Sequence, residues 1–194
     1  MLQLILDVET KQTFDEVGGF FPDRLGISFV GVCVREGMSG PGEMRGYFEA
    51  DLPKLFPLLE QADVVIGFNI DGFDMPTFTN YYTGDIATIP TLDLMLKIKD
   101  SVGHRIGLDA VAQETLGIGK SGDGLDAIKY YRTGQFDKLR DYCLQDVAVT
   151  RDIYDFGINK GAVKFRNKWN RLIECTVDFG FTPQKNAGIQ MSLI

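Results

Sequence analysis

The chain has 194 residues, of which 44% are hydrophobic and 24% charged, and its formal net charge is −7. This length fits one domain with a sizeable core, and no apolar run approaches the roughly 20 residues of a membrane helix. The acidic balance disfavours nucleic-acid binding through a broad basic surface, but it does not exclude an enzyme whose carboxylates hold metal ions. An odd number of scattered cysteines and no signal-peptide pattern favour reduced thiols in a cytoplasmic protein.

The first predicted element is an apolar strand at residues 2–10 that runs directly into two carboxylates, Asp7 and Glu9. Residues i and i+2 of a strand point to the same face, so the two side chains are expected to project together. Adjacent carboxylates at the end of a buried strand repel each other and resist desolvation, which a hard cation such as Mg²⁺ or Mn²⁺ would relieve. Taken alone, the two residues also fit a strand that ends in a solvated acidic turn.

The following segments predict a mixed α/β fold. Runs of β-branched and apolar residues indicate strands at 26–35, 44–48, 64–69 and 91–95. Helical spacing and end signals indicate helices at 51–61, 73–82, 107–117, 125–132 and 136–156, and an amphipathic segment at 162–175 that we interpret as helical. Strands joined by short turns, followed by strand–helix alternation, are typical of a mixed sheet flanked by helices. We expect one domain at 1–178 and a flexible tail at 179–194.

Two later stretches carry carboxylates that can join the first pair. Asp71 and Asp74 follow the predicted strand 64–69, at a strand end where active sites of open α/β sheets collect. Tyr142 and Asp146 lie four residues apart on the predicted long helix and therefore share one face. A carboxylate on an otherwise apolar helix face is costly unless it is bound to something.

These residues resemble, in order and spacing, the three exonuclease motifs of the DEDD superfamily: Asp7-x-Glu9, Asn69-x-x-x-Phe73-Asp74 and Tyr142-x-x-x-Asp146. The resemblance is strongest to the 3′–5′ proofreading exonuclease domain of family B DNA polymerases and covers about residues 1–158. The histidine subtype needs His five residues before the last Asp, where this chain has Asp141, so the tyrosine subtype fits. The resemblance implies a ribonuclease H-like fold with a five-stranded mixed sheet flanked by helices.

The resemblance also implies that four carboxylates hold two divalent cations, Mg²⁺ or Mn²⁺: Asp7, Glu9, Asp74 and Asp146. Asp7 would bridge the ions, with Glu9 and Asp146 completing one site. Asp74 would serve the other ion through water, and Tyr142 would orient the attacking water. Two ions roughly 4 Å apart can activate a water and stabilise the departing oxygen in a displacement at phosphorus.

Asn69 and Phe73 resemble the residues that contact the 3′-terminal nucleotides in the family. An aromatic ring stacked on a base accepts any sequence, as a general exonuclease requires. A core aromatic is the alternative for Phe73. Asp71 departs from the small or apolar residue usual near this motif, and it fits either a solvated turn or an additional ligand.

Two features lie outside the family motifs. Residues 160–171 hold the chain's basic and aromatic stretch, which either guides a single strand towards the site or forms a solvated helix face with Phe165 and Trp169 packed inwards. The last five residues resemble the bacterial sliding-clamp-binding pentapeptide: Gln190-Met191-Ser192-Leu193-Ile194. A short peptide on a flexible tether can dock apolar side chains in a groove, and a chance match is the alternative.

The sequence therefore predicts a two-metal-dependent 3′–5′ exonuclease that releases nucleoside monophosphates from single-stranded or frayed 3′ ends. DNA is favoured by the resemblance to proofreading domains, and RNA is the alternative substrate. A catalytically weak nucleic-acid or clamp-binding module on the same fold is a rival, which the costly acidic set disfavours. Two-carboxylate glycoside hydrolysis is a weaker rival, since it leaves Tyr142 and two aspartates unexplained. Without polymerase motifs, a proofreading or repair role would need a partner.

Overall fold

The computed structural model describes residues 1–119, 122 and 124–182. Its centre is a five-stranded sheet, whose strands are β1 (Leu2–Thr10), β2 (Ile27–Glu36), β3 (Glu43–Phe48), β4 (Val64–Gly67) and β5 (Thr91–Asp93). The strand order is β3-β2-β1-β4-β5. Strands β1, β2 and β3 pair antiparallel, whereas β4 and β5 run parallel to β1. The predicted five-stranded mixed sheet is confirmed.

Six helices surround this sheet in the described part of the chain: α1 (Leu52–Gln61), α2 (Asp74–Thr77), α3 (Leu94–Val102), α4 (Leu108–Leu116), α5 (Gly124–Arg132) and α6 (Phe136–Lys160). The helix predicted at 73–82 is shorter than expected, because α2 gives way to a 3₁₀ turn at Phe78–Asn80. The hydroxyls of Thr77 and Thr79 donate to backbone carbonyls three residues earlier. Such local side-chain bonds compete with a regular helix. Among the described residues, no helix is both long and apolar enough to cross a membrane.

The two faces of β1 are covered by different helices. Leu4, Leu6 and Val8 pack in the cluster that contains α1. Ile5 packs on the other face, in the cluster that contains residues of α4 and α6. Side chains alternate along a strand, so Asp7 and Glu9 share the face of Ile5. The fold therefore directs both carboxylates towards α6.

The interpretation of residues 162–175 as helical is wrong, because this segment forms an antiparallel hairpin of β6 (Ala162–Arg166) and β7 (Leu172–Thr176). Along β6, Val163 and Phe165 are buried, and Arg166 is exposed. This is the alternation of a half-buried strand. Trp169, at the turn, is 68% exposed, so only one of the two rings packs inwards as the helical interpretation required.

The packed part of the chain continues beyond the hairpin through Phe179, one residue into the segment predicted as a tail. Phe179 is buried, its ring stacks on Tyr154 at 6.3 Å, and it lies against Gly157 of α6. The pentapeptide 190–194 lies outside the described residues, so the single-domain boundary and the peptide's role stay predictions.

Candidate active site

Asp7 and Glu9 lie side by side at the C-terminal end of β1. A carboxylate oxygen of each residue and the sulfur of Cys143 all lie within 4.8 Å of one another. Glu9 is 8% exposed, and Asp7 is half-buried. Both carboxylates therefore lie within the strand and are at least half-buried, and they do not extend into a solvated turn.

Asp74 joins this pair from the start of α2. The last paired residues of β1 and β4 are Ile5 and Ile66, after which the two strands separate. Asp74 lies where they separate, and its Oδ1 accepts a hydrogen bond of 2.9 Å from the backbone N–H of Val8. Val8 lies between Asp7 and Glu9, so this bond fixes a third, buried carboxylate beside the first two.

Helix α6 supplies the remaining predicted residues, Tyr142 and Asp146. The charge of Asp146 raises the pKa values of both Asp7 and Glu9. Burial, followed by the charges of Asp146 and Glu9, raises the pKa of Tyr142 far above its ordinary value. Cys143, on the same helix, lies with its sulfur 3.4 Å from Oδ2 of Asp7, so α6 packs beside β1. The structure thus brings together five predicted residues from β1, α2 and α6: Asp7, Glu9, Asp74, Tyr142 and Asp146.

The acidic centre, defined as Asp7, Glu9, Asp74 and Asp146, concentrates negative charge at one point. Burial and the charge of Asp146 raise the pKa of Asp7 to about 7. Burial is also the main cause that raises the pKa values of Glu9 and Asp74, and the charge of Asp7 adds to both. Within the described ranges, no Lys or Arg forms an ion pair with Asp7, Glu9 or Asp74. The clustered oxygen donors of Asp7, Glu9 and Asp74 fit hard divalent ions such as Mg²⁺ or Mn²⁺.

The phenol of Tyr142 keeps its proton at any physiological pH, because its pKa is raised by burial and by the surrounding carboxylates. It therefore offers an O–H donor next to acceptor oxygens. Gly122 packs against its ring, where an added Cβ would lie 2.8 Å from Cε2. This close contact limits the positions that the ring can adopt.

Cys143 is part of the site, although its sequence position indicated only the apolar face of a helix. Its thiol lies 3.4 Å from Oδ2 of Asp7 and 3.5 Å from the carbonyl oxygen of the same residue. Burial and the charges of Asp7 and Glu9 raise its pKa, so the group is a neutral S–H donor. A neutral thiol is a poor ligand for hard cations, so Cys143 supports Asp7 and does not join the ligand set.

The turn after β4 is anchored by Asp93, whose role the sequence did not reveal. Its buried carboxylate accepts hydrogen bonds from the backbone N–H groups of Asn69 (3.0 Å) and Asp71 (3.2 Å) and also caps α3 through Leu96 (3.2 Å). Asn69 adopts the left-handed conformation, with φ of 69°. Asp93 thereby fixes the backbone that presents Asn69, whereas the side chain of Asp71 is exposed, as in a solvated turn.

Phe73 is a half-buried ring at the surface, next to the acidic centre. It meets Phe14 edge to face, with ring centroids 6.0 Å apart. Both rings line a cavity that also includes Thr10, the residue after Glu9. Phe73 therefore lies in the protein surface beside Phe14 and Thr10, with part of its ring exposed to solvent.

The basic stretch at 160–171 is partly neutralised within the protein. Arg166 pairs with Glu114 of α4 at 3.0 Å, and Lys164 lies 3.6 Å from Glu174 across the hairpin. Lys168 sits 4.5 Å from the ring centroid of Trp169. Trp169, at the tip of the hairpin, is exposed.

Oxygen donors clustered at the C-terminal end of the central strand of a mixed α/β sheet define a candidate metal-dependent active site. The RNase_H_2 family model, described as RNase_H superfamily, matches residues 4–156. The chain therefore belongs to the RNase H superfamily, and membership indicates a nuclease that uses divalent metal ions. The match spans every residue of the acidic centre and ends before the hairpin. No curated protein matches the chain.

Proposed function

We propose that this nuclease is a 3′–5′ exonuclease of the tyrosine DEDD subtype, which releases nucleoside monophosphates from single-stranded or frayed 3′ ends. The observation that carries the proposal is the approach of Tyr142 to the acidic centre. A ring of carboxylates alone suits many metal-dependent hydrolases. A protonated phenol next to them, four residues before the last carboxylate, matches the third exonuclease motif.

The acidic centre would hold two divalent cations, Mg²⁺ or Mn²⁺. When bound, such ions supply a nucleophile at neutral pH and neutralise the charge that develops on the phosphate oxygens. Asp7 lies centrally, since it interacts with both Glu9 and Asp74, and this suits the ligand shared by the two ions. Asp74 is held by the N–H of Val8, and Asp7 by the thiol of Cys143, so both keep their positions in the absence of substrate.

Tyr142 would act as the donor that orients the attacking water. Its O–H does not serve as a base, because even an ordinary phenol, with a pKa of about 10, is protonated at neutral pH. A fixed donor can hold a water oxygen so that the lone pair points at phosphorus. Asn69 and Phe73 would hold the 3′-terminal nucleotide, Asn69 through its amide and Phe73 through the face of its ring.

DNA is the proposed substrate, because the motifs resemble proofreading domains most strongly, and RNA is the alternative to be tested beside it. We also propose, from the sequence alone, that residues 190–194 bind a bacterial sliding clamp. A synthetic peptide of residues 183–194 should bind the clamp, and the same peptide with Leu193→Ala should not. Free, buried thiols at Cys33, Cys143 and Cys175 support the proposed cytoplasmic location.

The proposal is tested by digestion of 5′-labelled single-stranded DNA and RNA of matched sequence, with Mn²⁺, with a chelator, and with Asp7→Ala. We expect a ladder that shortens from the 3′ end, stops in chelator, and falls at least about 1,000-fold in the variant, because several kcal/mol of transition-state stabilisation are lost. The substrate degraded faster identifies the preferred sugar. Folded wild-type protein that yields no ladder on either strand would contradict the proposal.

A further inference from the structure

Gly31 lies in the interior of β2, directly opposite Asp7 of β1. Its φ is outside the left-handed region, so the backbone conformation does not require a glycine at this position. A glycine inside a strand weakens the strand, and it often marks a place where another part of the chain approaches closely. The reason for Gly31 therefore lies in the space above it.

That space is filled by α6. A Cβ added to Gly31 would lie 2.9 Å from Sγ of Cys143, 2.9 Å from Cγ2 of Val147 and 3.3 Å from Cδ2 of Leu144. Ordinary contacts between such atoms are about 3.5–4.0 Å long. The helix thus packs on the bare backbone of β2, roughly 0.5–1 Å closer than an alanine at position 31 would allow.

Rotation of side chains cannot relieve the two closest contacts. Cys143 and Val147 are fully buried, and the atoms that meet position 31 are γ atoms, one bond beyond Cβ. Valine is also branched at Cβ, which restricts its rotation. The thiol of Cys143 is held as a donor to Oδ2 of Asp7, at 3.4 Å. A side chain at position 31 would therefore displace the backbone of α6 itself.

The turn of α6 that rests on Gly31 also carries residues of the candidate active site. Tyr142 directly precedes Cys143, and Asp146 directly precedes Val147. The height of this turn above β2 therefore sets how far Tyr142 and Asp146 lie from the carboxylates of β1.

We propose that Gly31 is a positioning residue for the metal-dependent reaction, an assignment that rests on the proposed exonuclease function. Because Gly31 has no side chain, α6 approaches until Asp146 comes close enough to Glu9 for both to hold one ion. Cys143 transmits this fit to β1, since its thiol holds Asp7 from the side of the helix. Gly31 itself touches neither substrate nor metal.

The two proposed ion sites differ in how much they depend on Gly31. Glu9 and Asp146, proposed to complete one site, lie on β1 and α6, so their spacing changes when α6 moves. Asp74, proposed for the other site, is tied to β1 by the 2.9 Å hydrogen bond from the N–H of Val8. Crowding at position 31 should therefore weaken one ion and spare the other, which a general loss of stability would not do.

The test compares Gly31→Ala with the matched control Gly157→Ala. Gly157 lies on α6, and an added Cβ would collide with the ring of Phe179, about three turns beyond Asp146. We expect Gly31→Ala to lower kcat on single-stranded DNA roughly 100-fold with KM within about twofold, because a misplacement of about 1 Å has this effect. The control should keep kcat per folded protein within about twofold.

Mn²⁺ binding, followed by electron paramagnetic resonance of free Mn²⁺, gives a readout that does not depend on turnover. In Gly31→Ala we expect one ion to bind at least about tenfold more weakly and the other to stay within about threefold of the wild type. Gly157→Ala should keep both affinities. Equal weakening of the two ions in Gly31→Ala would overturn the assignment.

A mutant cycle ties the effect to the contact with α6. The background Cys143→Ala/Val147→Ala removes the two γ atoms that would crowd position 31. In this background, adding Gly31→Ala should change kcat by less than about threefold. A loss of about 100-fold in both backgrounds would overturn the assignment, because the added methyl group would then act elsewhere.

If Gly31→Ala does not fold, Cys143→Val and Cys143→Ala ask the same question from the side of the helix. Both variants lack the thiol, but only valine has γ carbons, one more than cysteine has γ atoms. We expect the kcat of Cys143→Val to be at least about tenfold below that of Cys143→Ala. Equal values would overturn the assignment.

The outcomes separate the two proposals. A wild-type protein that cleaves no single strand contradicts the exonuclease function. If the wild type cleaves, but Gly31→Ala keeps its kcat and both Mn²⁺ affinities, the positioning role of Gly31 is overturned while the exonuclease function stands.

Discussion

The two ends of β1 differ in whether a buried charge near them is paired with an opposite charge of the protein. At the N-terminal end, Arg35 is 4% exposed, and all five of its N–H groups donate hydrogen bonds, to Gln3, to Asp155 and to two backbone carbonyls. At the C-terminal end, Glu9 and Asp74 are also buried. Within the described residues, neither carboxylate forms an ion pair with a Lys or Arg. One end is neutralised within the chain, and the other is suited to a cation from solution.

The difference separates structural charge from functional charge. A buried ion pair keeps its place when its geometry is good and its remaining polar atoms are bonded, as the bidentate Arg35–Asp155 pair is. The like charges of Asp7, Glu9 and Asp74 repel one another instead, and carboxylates with raised pKa values in one place mark candidate functional sites. Both clusters join β1 to α6, so the same two elements carry a stabilising contact and a proposed catalytic one.

The largest effect on stability is expected at the N-terminal end of β1, where Arg35 pairs with Asp155. Asp155→Ala leaves the Arg35 guanidinium buried without its carboxylate, and we expect the free energy of unfolding to fall by about 3–5 kcal/mol. Urea denaturation in the presence of chelator measures this change. As a control, Asp152→Ala removes an ion pair with Arg151 in which Asp152 is 41% exposed, and it should cost less than about 1 kcal/mol. Equal losses in the two variants would mean that the Arg35 cluster is not a compensated buried pair.

The next effect concerns catalysis at the acidic end. Tyr142→Phe removes only the phenolic O–H, and we expect kcat on single-stranded DNA to fall roughly 100-fold while Mn²⁺ affinity stays within about twofold. The matched control is Tyr154→Phe on the same helix, where the phenolic oxygen of Tyr154 accepts a hydrogen bond from the side-chain amide of Gln3 near the N-terminal end of β1. That variant should lose about 1 kcal/mol of stability and keep its kcat. If Tyr142→Phe kept its full kcat, the proposed role of Tyr142 as the donor to the attacking water would be wrong.

The smallest effect is a pH dependence of the metal-free protein. The pKa of Asp7 is raised to about 7 in the fold, and the pKa values of Glu9 and Asp74 are raised as well. A carboxyl group whose folded pKa exceeds its unfolded value of about 4 contributes stability below that value and loses it as pH rises through the folded pKa. The melting temperature in chelator should therefore fall by several degrees between pH 5 and 7.5.

Two additions sharpen this pH experiment. Mg²⁺ or Mn²⁺ should restore the melting temperature at pH 7.5, because it neutralises the carboxylates that have ionised. Asp7→Asn should flatten the profile, since the group that ionises is gone. If the melting temperature of the metal-free protein instead rose over this interval, the acidic centre would not be the strained, like-charged cluster described above.

The sequence predicted those features of the site that depend on short-range geometry. The i, i+2 spacing of Asp7 and Glu9 in a strand and the i, i+4 spacing of Tyr142 and Asp146 in a helix fix which side chains share a face. Because β1 is apolar at nearly every position, the sequence also predicted that both of its faces would be covered. These are local rules, and the structure confirms the elements that they imply.

What the sequence did not reveal depends on contacts between distant segments. Cys143 looked like an ordinary core residue, because its approach to Asp7 requires Gly31 on β2, where an added Cβ would lie 2.9 Å from its sulfur. Phe14 and Phe20 stack within residues 11–22, a polar and glycine-rich stretch of the sequence, and only the folded loop aligns the two rings. The hairpin was mistaken for a helix because two short strands joined by a turn leave a weak periodic signal.

The most direct test of the central claim is the number of Mn²⁺ ions that the acidic centre binds, measured by electron paramagnetic resonance of free Mn²⁺ during a titration at pH 7.5. We expect two bound ions per chain in the wild type, a loss of binding in Asp7→Asn, and unchanged stoichiometry in Asp152→Ala. Binding of no ion, or two ions that persist in Asp7→Asn, would contradict it, because the carboxylates of β1 would then not be the ligands.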